Sequence, residues 1–249
     1  MSSALRTAYA WVLLSVIVLP LFPAMFVLRP ILNRTDPSGD RFRRFTAQWV
    51  SFYARLTPLY RFTLNGIQHL PNTGPYVLVA NHESGLDVLA LLLLRAPVRF
   101  LAETWMFRIP LAGWLFRACR HIPVKPGDRE TGHRALETAE EALAEGTPVA
   151  IFPEGRLCPD HLGEFKPGAF VLASRARVPL IPVVLEGTGE AWRPGTVVVH
   201  GAHEIRVRVL EAIEADADET PDDLARRTRG RFETSRNRGT AAKAAAQTS

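Results

Sequence analysis

The order of apolar and polar positions predicts an α/β domain between residues 61 and 234. Short apolar runs rich in β-branched residues alternate there with longer runs of helical periodicity. This pattern is typical of a mixed, largely parallel sheet with helices on both faces. The predicted strands are 62–67, 76–80, 98–101, 122–124, 148–152, 180–185, 196–200 and 205–210. The predicted helices are 88–94, 111–119, 130–145 and 221–232.

The chain before this domain, residues 1–60, is predicted to be a hydrophobic, helical membrane anchor. Residues 7–28 carry no charged side chain, and at about 1.5 Å per residue a helix of that length covers a hydrocarbon core of roughly 30 Å. Pro20 and Pro23 fall inside the run, and proline interrupts helical hydrogen bonding. A kinked span, a re-entrant hairpin and a helix lying in the membrane plane therefore stay open.

Residues 41–56 combine aromatic side chains at helical spacing with four arginines. Such a helix lies in a membrane interface, where arginines meet lipid phosphates; the alternative is an aromatic stripe that packs on the soluble core. Basic residues after position 28 outnumber the lone Arg6 before it, so the positive-inside rule places the following domain on the cytoplasmic side if the segment 7–28 spans the membrane. The expected location is the cell inner membrane. The polar, alanine-rich tail, 235–249, is expected to be disordered.

Composition and charge indicate which class of partner the protein binds. A net charge of +5 and a pI near 9.7 favour an anionic partner, either nucleic acid or a membrane surface. The sequence contains no zinc-ligand spacing and no RNA-binding aromatic motif, so we expect a membrane partner and no nucleic acid. The two cysteines, Cys119 and Cys158, form no C-x-x-C pair. Cys158 is interpreted as a structural residue in a reducing compartment.

The strongest chemical candidate is the loop 81–87, between the predicted strand 76–80 and the predicted helix 88–94. It carries His82 and, five positions later, Asp87. Ligands in open α/β sheets bind beyond the carboxyl ends of strands. The hypothesis is that Asp87 accepts a hydrogen bond from one ring nitrogen of His82 and leaves the other nitrogen free to take a proton. Because this spacing is common by chance, its context has to support it.

A second loop supplies that context. Glu154, Gly155 and Arg156 follow the predicted strand 148–152, and Lys125 follows the predicted strand 122–124. If these strands are parallel, their loops share one crevice with His82. Together with Lys166, the cations suit an anionic acceptor that bears a hydroxyl group.

Four blocks in this order resemble the motifs of the glycerolipid acyltransferase family, which includes the lysophosphatidate (1-acyl-glycerol-3-phosphate) acyltransferases. The resemblance covers residues 62–190. The blocks are Asn81-His82-x4-Asp87, Phe152-Pro153-Glu154-Gly155, Phe165-Lys166-Pro167-Gly168-Ala169 and Val178-Pro179-Leu180-Ile181-Pro182-Val183.

The resemblance implies that His82 is the general base and that Asp87 orients it. The acceptor hydroxyl would attack the thioester of acyl-CoA or acyl-carrier protein directly, without an acyl-enzyme, a metal or a cofactor. Glu154 and Gly155 would hold the glycerol part of the acceptor, and the cations would bind its phosphate. Two positions depart from the family pattern: Lys125 replaces an arginine, and Arg156 is displaced by one residue.

The function predicted is a membrane-associated acyltransferase that converts 1-acyl-glycerol-3-phosphate to phosphatidate. The alternatives are the same chemistry on another lyso-lipid, such as an amino-acid-linked one, and a catalytically silent lipid-binding protein. A metallo-hydrolase lacks further ligands at suitable spacing. An apolar segment that would line a path for the acyl chain or pack in the core comprises Trp105, Met106, Phe107, Leu111, Trp114, Leu115 and Phe116.

Overall fold

The computed structural model describes residues 3–18, 23, 34–36, 38–57, 59–110, 112–196, 203–216 and 218–247. Its strands are β1 (Tyr60–Asn65), β2 (Val77–Ala80), β3 (Arg99–Glu103), β4 (Ile122–Val124), β5 (Val149–Ile151), β6 (Leu180–Glu186) and β7 (His203–Val209). Its helices are α1 (Ser3–Val18), α2 (Asp40–Leu56), α3 (Leu86–Leu92), α4 (Ala112–Ala118), α5 (Arg129–Ala144), α6 (Gly168–Ala176), α7 (Thr188–Ala191) and α8 (Pro221–Gln247). Two short 3-10 helices cover Ile67–His69 and Thr104–Arg108.

The strands form one sheet in the order β1-β7-β6-β2-β5-β3-β4. The five strands from β6 to β4 are mutually parallel, and β7 pairs antiparallel with β6 and parallel with β1. The predicted mixed, largely parallel α/β sheet is therefore confirmed. Of the predicted strand 196–200, residues 197–200 lie outside the described residues.

The central strands are buried on both faces because helices cover them on both sides. Every residue of β2 and β5 is buried, as in parallel sheets generally. Ala90 and Leu91 of α3 pack on one face, whereas Ala139 of α5 and Phe170 of α6 pack on the other. The arrangement confirms helices on both faces and brings the carboxyl ends of β6, β2 and β5 side by side.

Helix α2 divides the aromatic stripe of residues 41–56 between the core and the surface. Phe42 and Tyr53 are buried, whereas Phe45, Phe52 and Leu56 are exposed. A buried arginine fixes this helix to the sheet domain: Arg43 donates to the carbonyl oxygen of Pro97 at 2.8 Å and to that of Cys119 at 3.1 Å. Core packing therefore accounts for the buried part of the stripe, and the membrane-interface interpretation of its exposed part stays a prediction.

Among the residues that the structure describes, no helix is both long enough and apolar enough to span a membrane. Of the predicted anchor segment 7–28, residues 7–18 continue helix α1, and most of the remainder lies outside the described residues. Tyr9 of α1 donates to the carbonyl oxygen of Leu56 at 3.3 Å, which joins α1 to α2.

The carboxyl-terminal helix differs from its prediction. The predicted helix 221–232 is present, but α8 continues to Gln247, so the prediction of a disordered tail is wrong up to that residue. Alanine is the strongest helix former. The tail is also anchored by tertiary contacts, because Arg208 of β7 donates to the carbonyl oxygen of Ser235 at 2.6 Å.

Candidate active site

Asp87 holds the loop between β2 and α3 through a single carboxylate oxygen. Asp87 is fully buried, and its Oδ2 accepts from the backbone N–H groups of Glu83 at 2.6 Å and Ser84 at 2.8 Å. The same oxygen lies 2.8 Å from Nδ1 of His82. An ionised carboxylate can only accept, so Nδ1 carries the proton and Nε2 is the basic nitrogen. The predicted contact between His82 and Asp87 is therefore present.

Phe152 sets the plane of the imidazole. The two rings stack with centroids 3.9 Å apart and planes 13° from parallel. The His82 side chain is 21% exposed, whereas Asp87 is fully enclosed. The imidazole is therefore fixed by a hydrogen bond to Asp87 at Nδ1 and by stacking on Phe152 along one face, and part of the ring is exposed to solvent.

Glu154 ties the loop after β5 to the loop after β2. Its buried carboxylate accepts from the backbone N–H of His82 through Oε1 and from that of Gly163 through Oε2, both at 3.0 Å. In the reverse direction, the N–H of Cys158 donates to the carbonyl oxygen of His82 at 2.7 Å. In this structure Glu154 positions the base, and its implied contact with the acceptor stays a prediction.

Gly155 allows Lys166 to approach this junction. Gly155 has a positive φ of 63°, a conformation that favours glycine. A β-carbon at this position would lie 2.7 Å from Nζ of Lys166. The backbone N–H of Lys166 donates to the carbonyl oxygen of Pro153 at 2.8 Å. The structure thus brings Lys166 beside Glu154 and Gly155, as the crevice hypothesis predicted.

The other two predicted cations are less firmly placed. Arg156 is exposed directly after Gly155. Lys125 follows the edge strand β4, with 68% of its side chain exposed and its Nζ 4.0 Å from Oδ2 of Asp128. Strand β4 is three positions from β2 in the sheet, which corresponds to roughly 14 Å at the usual strand spacing. Lys125 therefore shares the sheet edge with His82 but not its immediate surroundings.

Cys158 behaves as the structural residue that was predicted. It is buried, and burial, followed by hydrogen bonding to Glu154, raises the pKa of its thiol. A thiol with a raised pKa is a poor nucleophile. Among the described residues, no group of three or more His, Cys, Asp and Glu side chains could hold a metal ion.

The proposed acyl-path segment mostly packs on neighbouring elements. Trp114 and Leu115 pack beside Phe42 and Cys119, and Phe107 lies 5.4 Å from Phe116 between ring centroids. Trp105 is exposed. Core packing therefore accounts for the residues of α4, and Leu111 lies outside the described residues.

Sequence reasoning missed the contacts of Glu83 and Asn81. Glu83 itself is buried in the loop after His82, and it pairs with Arg236 of α8 at 2.8 Å. Asn81, at the end of β2, bonds both ways with the backbone of Leu185, each at 2.8 Å. Glu83 carried no signal beyond its place in the motif, and Arg236 fell in the tail that was expected to be disordered.

Comparison with known proteins agrees with the motifs. The model of the acyltransferase family matches residues 61–186. Proteins named 1-acyl-sn-glycerol-3-phosphate acyltransferase are similar to this chain. One from Chlamydomonas reinhardtii is 36% identical over 209 residues, which is 78% of this chain and 61% of that protein. A chloroplastic one from Arabidopsis thaliana is 32% identical over 216 residues, which is 86% of this chain and 60% of that protein.

The alpha form from Homo sapiens is 30% identical over 252 residues, with 86% of this chain and 85% of that protein covered. The chain therefore spans about three fifths of the algal and plant relatives and most of the human one. The crystal structure of the 1-acyl-sn-glycerophosphate acyltransferase PlsC from Thermotoga maritima has the same fold, with a TM-score of 0.76 at 22% identity over 94% of this chain and 95% of that one. The ordered motifs, the family model and the extent of the human match together place this chain in the glycerolipid acyltransferase family.

Proposed function

We propose that this protein transfers a fatty acyl group from an acyl thioester to the free hydroxyl of 1-acyl-glycerol-3-phosphate and so forms phosphatidate. The observation that carries the proposal is the hydrogen bond from Nδ1 of His82 to buried Asp87, in a chain of this family. The relatives' names support the choice of acceptor.

The proposed step needs only a proton acceptor and a reactive donor. Nε2 of His82 takes the proton of the acceptor hydroxyl while the hydroxyl oxygen attacks the thioester carbonyl carbon. The carbon–sulfur bond then breaks, and the leaving thiolate receives the proton from the imidazolium. General base catalysis of this kind contributes about 10²–10⁴-fold. The acyl thioester is a co-substrate, and the reaction consumes no cofactor.

The cations beside the base favour a phosphate-bearing acceptor. Lys166 lies over Gly155, and Arg156 is exposed next to it. Arginine and lysine bind phosphate through charge-assisted hydrogen bonds. An acceptor whose phosphate binds these two residues can present its hydroxyl group to His82.

Exposed apolar side chains on the two amino-terminal helices support membrane association. Helix α1 exposes Trp11, Val12 and Val16, and α2 exposes Phe45 and Phe52. Helix α1 is apolar and α2 is amphipathic, and helices of the second kind insert their apolar side chains at the lipid boundary. We place the protein on the cytoplasmic face of the inner membrane, where it meets its lipid substrates. Flotation of the purified protein with vesicles of anionic phospholipid tests this, and protein that stays at the bottom of the gradient contradicts it.

Product identification tests the activity. The purified full chain receives lysophosphatidate mixed with other lyso-lipids. The acyl donor is acyl-CoA in one arm and acylated acyl-carrier protein in the other, each with and without a metal chelator. We expect mass spectrometry to find phosphatidate in at least one donor arm regardless of the chelator. If only a different lyso-lipid is acylated, that lyso-lipid is the acceptor and lysophosphatidate is not. Release of free fatty acid alone would contradict acyl transfer.

A further inference from the structure

Helix α8 lies outside residues 61–186, the part matched by the family model, yet it reaches the loop that carries His82. Its inner face buries Leu224, Thr228, Phe232 and Ser235, at the three- and four-residue spacing of one helical face. Phe232 packs edge-on against Phe165, with ring centroids 5.2 Å apart. This packing delivers the next turn of α8, with Arg236, to the crevice.

Arg236 compensates a buried carboxylate in that loop. Its guanidinium lies 2.8 Å from Oε1 of Glu83, whose side chain is only 6% exposed. The other hydrogen-bond donors to this carboxylate among the described residues are neutral: Asn81 at 3.2 Å, Thr188 at 3.4 Å and the backbone N–H of Gly189. In the part of the chain that the structure describes, the other charged group that faces Glu83 is Asp87 of α3, which has the same sign. Arg236 is therefore the cation that opposes the burial of this negative charge.

Glu83 is covalently and geometrically coupled to the base. It follows His82 directly, and its backbone N–H donates to Oδ2 of Asp87 at 2.6 Å. A β-carbon on Gly189 would lie 3.3 Å from Cβ of Glu83, so α7 leaves its side chain little room to shift. If the Glu83 side chain leaves its site, its N–H moves away from Asp87 and the support of His82 is weakened.

We propose that Arg236 is a positioning residue of the active site: by pairing with buried Glu83, it holds the loop 82–87 in the geometry that aims His82 at the acceptor. The consequence for catalysis rests on the proposed acyl transfer, whereas the effect on the loop does not. The active site then comprises the loop after β2, the loop after β5 and the carboxyl-terminal helix α8.

The proposal has a pH signature. Burial, aided by Asp87, raises the pKa of the Glu83 carboxyl to about 7, and Arg236 opposes this shift. A carboxyl that has a higher pKa in the closed loop than in solvent favours the closed loop when it is protonated. Glu83 therefore strains the loop only when it is ionised, above neutral pH, and Arg236 is needed only there.

Four variants test this: Arg236→Gln, Glu83→Gln, the double variant, and Arg238→Gln as a control on an exposed arginine of the same helix. Hydrogen exchange of a peptide covering 81–87 is compared with the wild type at about pH 6 and about pH 8.5, on either side of the Glu83 pKa. At the higher pH we expect Arg236→Gln to exchange at least about tenfold faster, because it leaves a buried charge unpaired. At the lower pH we expect a near-normal rate.

The double variant is the decisive member, since Glu83→Gln removes the charge that Arg236 compensates. We expect the double variant to exchange slowly again at the higher pH. We also expect variants with slower loop exchange to transfer acyl groups faster, with little change in the acceptor KM. Equal exchange in Arg236→Gln and wild type, an effect that does not depend on pH, or a double variant as loose as Arg236→Gln overturns the proposal. If exchange follows the prediction but the wild type transfers no acyl group, the proposed function fails and the positioning of the loop stands.

Discussion

The base side and the cation side of the crevice differ in how completely the fold holds their side chains. On the base side, Asp87 and Glu154 are buried, and together their carboxylates hold His82 through its ring and its backbone. On the cation side, Arg156 and Lys166 are exposed, and Lys125 is exposed farther along the same sheet edge. Pre-set hydrogen bonds suit a group that has to act in one geometry, whereas exposed cations can adjust to the ligand that they bind.

The difference predicts which substitutions impair chemistry and which impair binding. Changes on the base side should lower kcat or the stability of the fold, because the bonds they remove are already present in the free protein. Changes on the cation side should raise the KM of the acceptor and leave the fold unchanged.

Replacing His82 with alanine should have the largest effect. We expect the transfer rate to fall by about 10²–10⁴-fold, since the proton acceptor is lost. The partly exposed ring also contributes to the fold, through its stacking on Phe152 and its hydrogen bond to buried Asp87, so we expect a loss of stability of roughly 1–3 kcal/mol as well. His133→Ala, on the exposed face of α5, is the matched control and should keep full activity.

Glu154→Gln should destabilise the protein as well as slow it. The amide retains one acceptor oxygen for the two N–H groups of His82 and Gly163 that Glu154 now satisfies. A buried donor left without an acceptor costs about 1–3 kcal/mol. Denaturant unfolding should show a loss of this size, whereas Glu164→Gln, at an exposed position nearby, should show none. Wild-type stability in Glu154→Gln would contradict its role as the tie between the loops.

The cation variants should have the smallest effect and only on binding. Arg156→Gln and Lys125→Gln should raise the acceptor KM by a few-fold to about tenfold, because exposed ion pairs contribute little. Arg156 should matter more, since it adjoins Gly155 whereas Lys125 lies at the edge strand. Arg175→Gln, in the last turn of α6, is the control. An unchanged KM in both cation variants would remove them from the phosphate site.

The base side was predictable because its geometry is local. His82 and Asp87 lie on one strand-to-helix loop, and the bond between them depends on the five-residue spacing. Glu154 was also predictable, because parallel neighbouring strands bring their carboxyl ends together. The pairing of β2 with β5 satisfies that condition.

The misplaced features depend on contacts between distant parts of the chain. Lys125 lies apart from His82 because β3 and β5 intervene between β4 and β2, and strand order leaves no mark in a local pattern. Arg236 was missed because residues 235–249 carry few bulky apolar side chains, and composition alone predicts disorder for such a segment. The segment is helical up to Gln247, and its contacts with Glu83 and Arg208 come from other elements.

The tautomer of His82 tests the central claim most directly, because the proposed chemistry requires an Nε2 that carries no proton. Nitrogen-15 NMR of the labelled protein, at about pH 8.5 where imidazoles are ordinarily neutral, distinguishes the two ring nitrogens. We predict a protonated Nδ1 and an unprotonated Nε2 for His82, and a loss of this preference in Asp87→Asn. A proton on Nε2 in the wild type would contradict the assignment of His82 as the base that Asp87 orients.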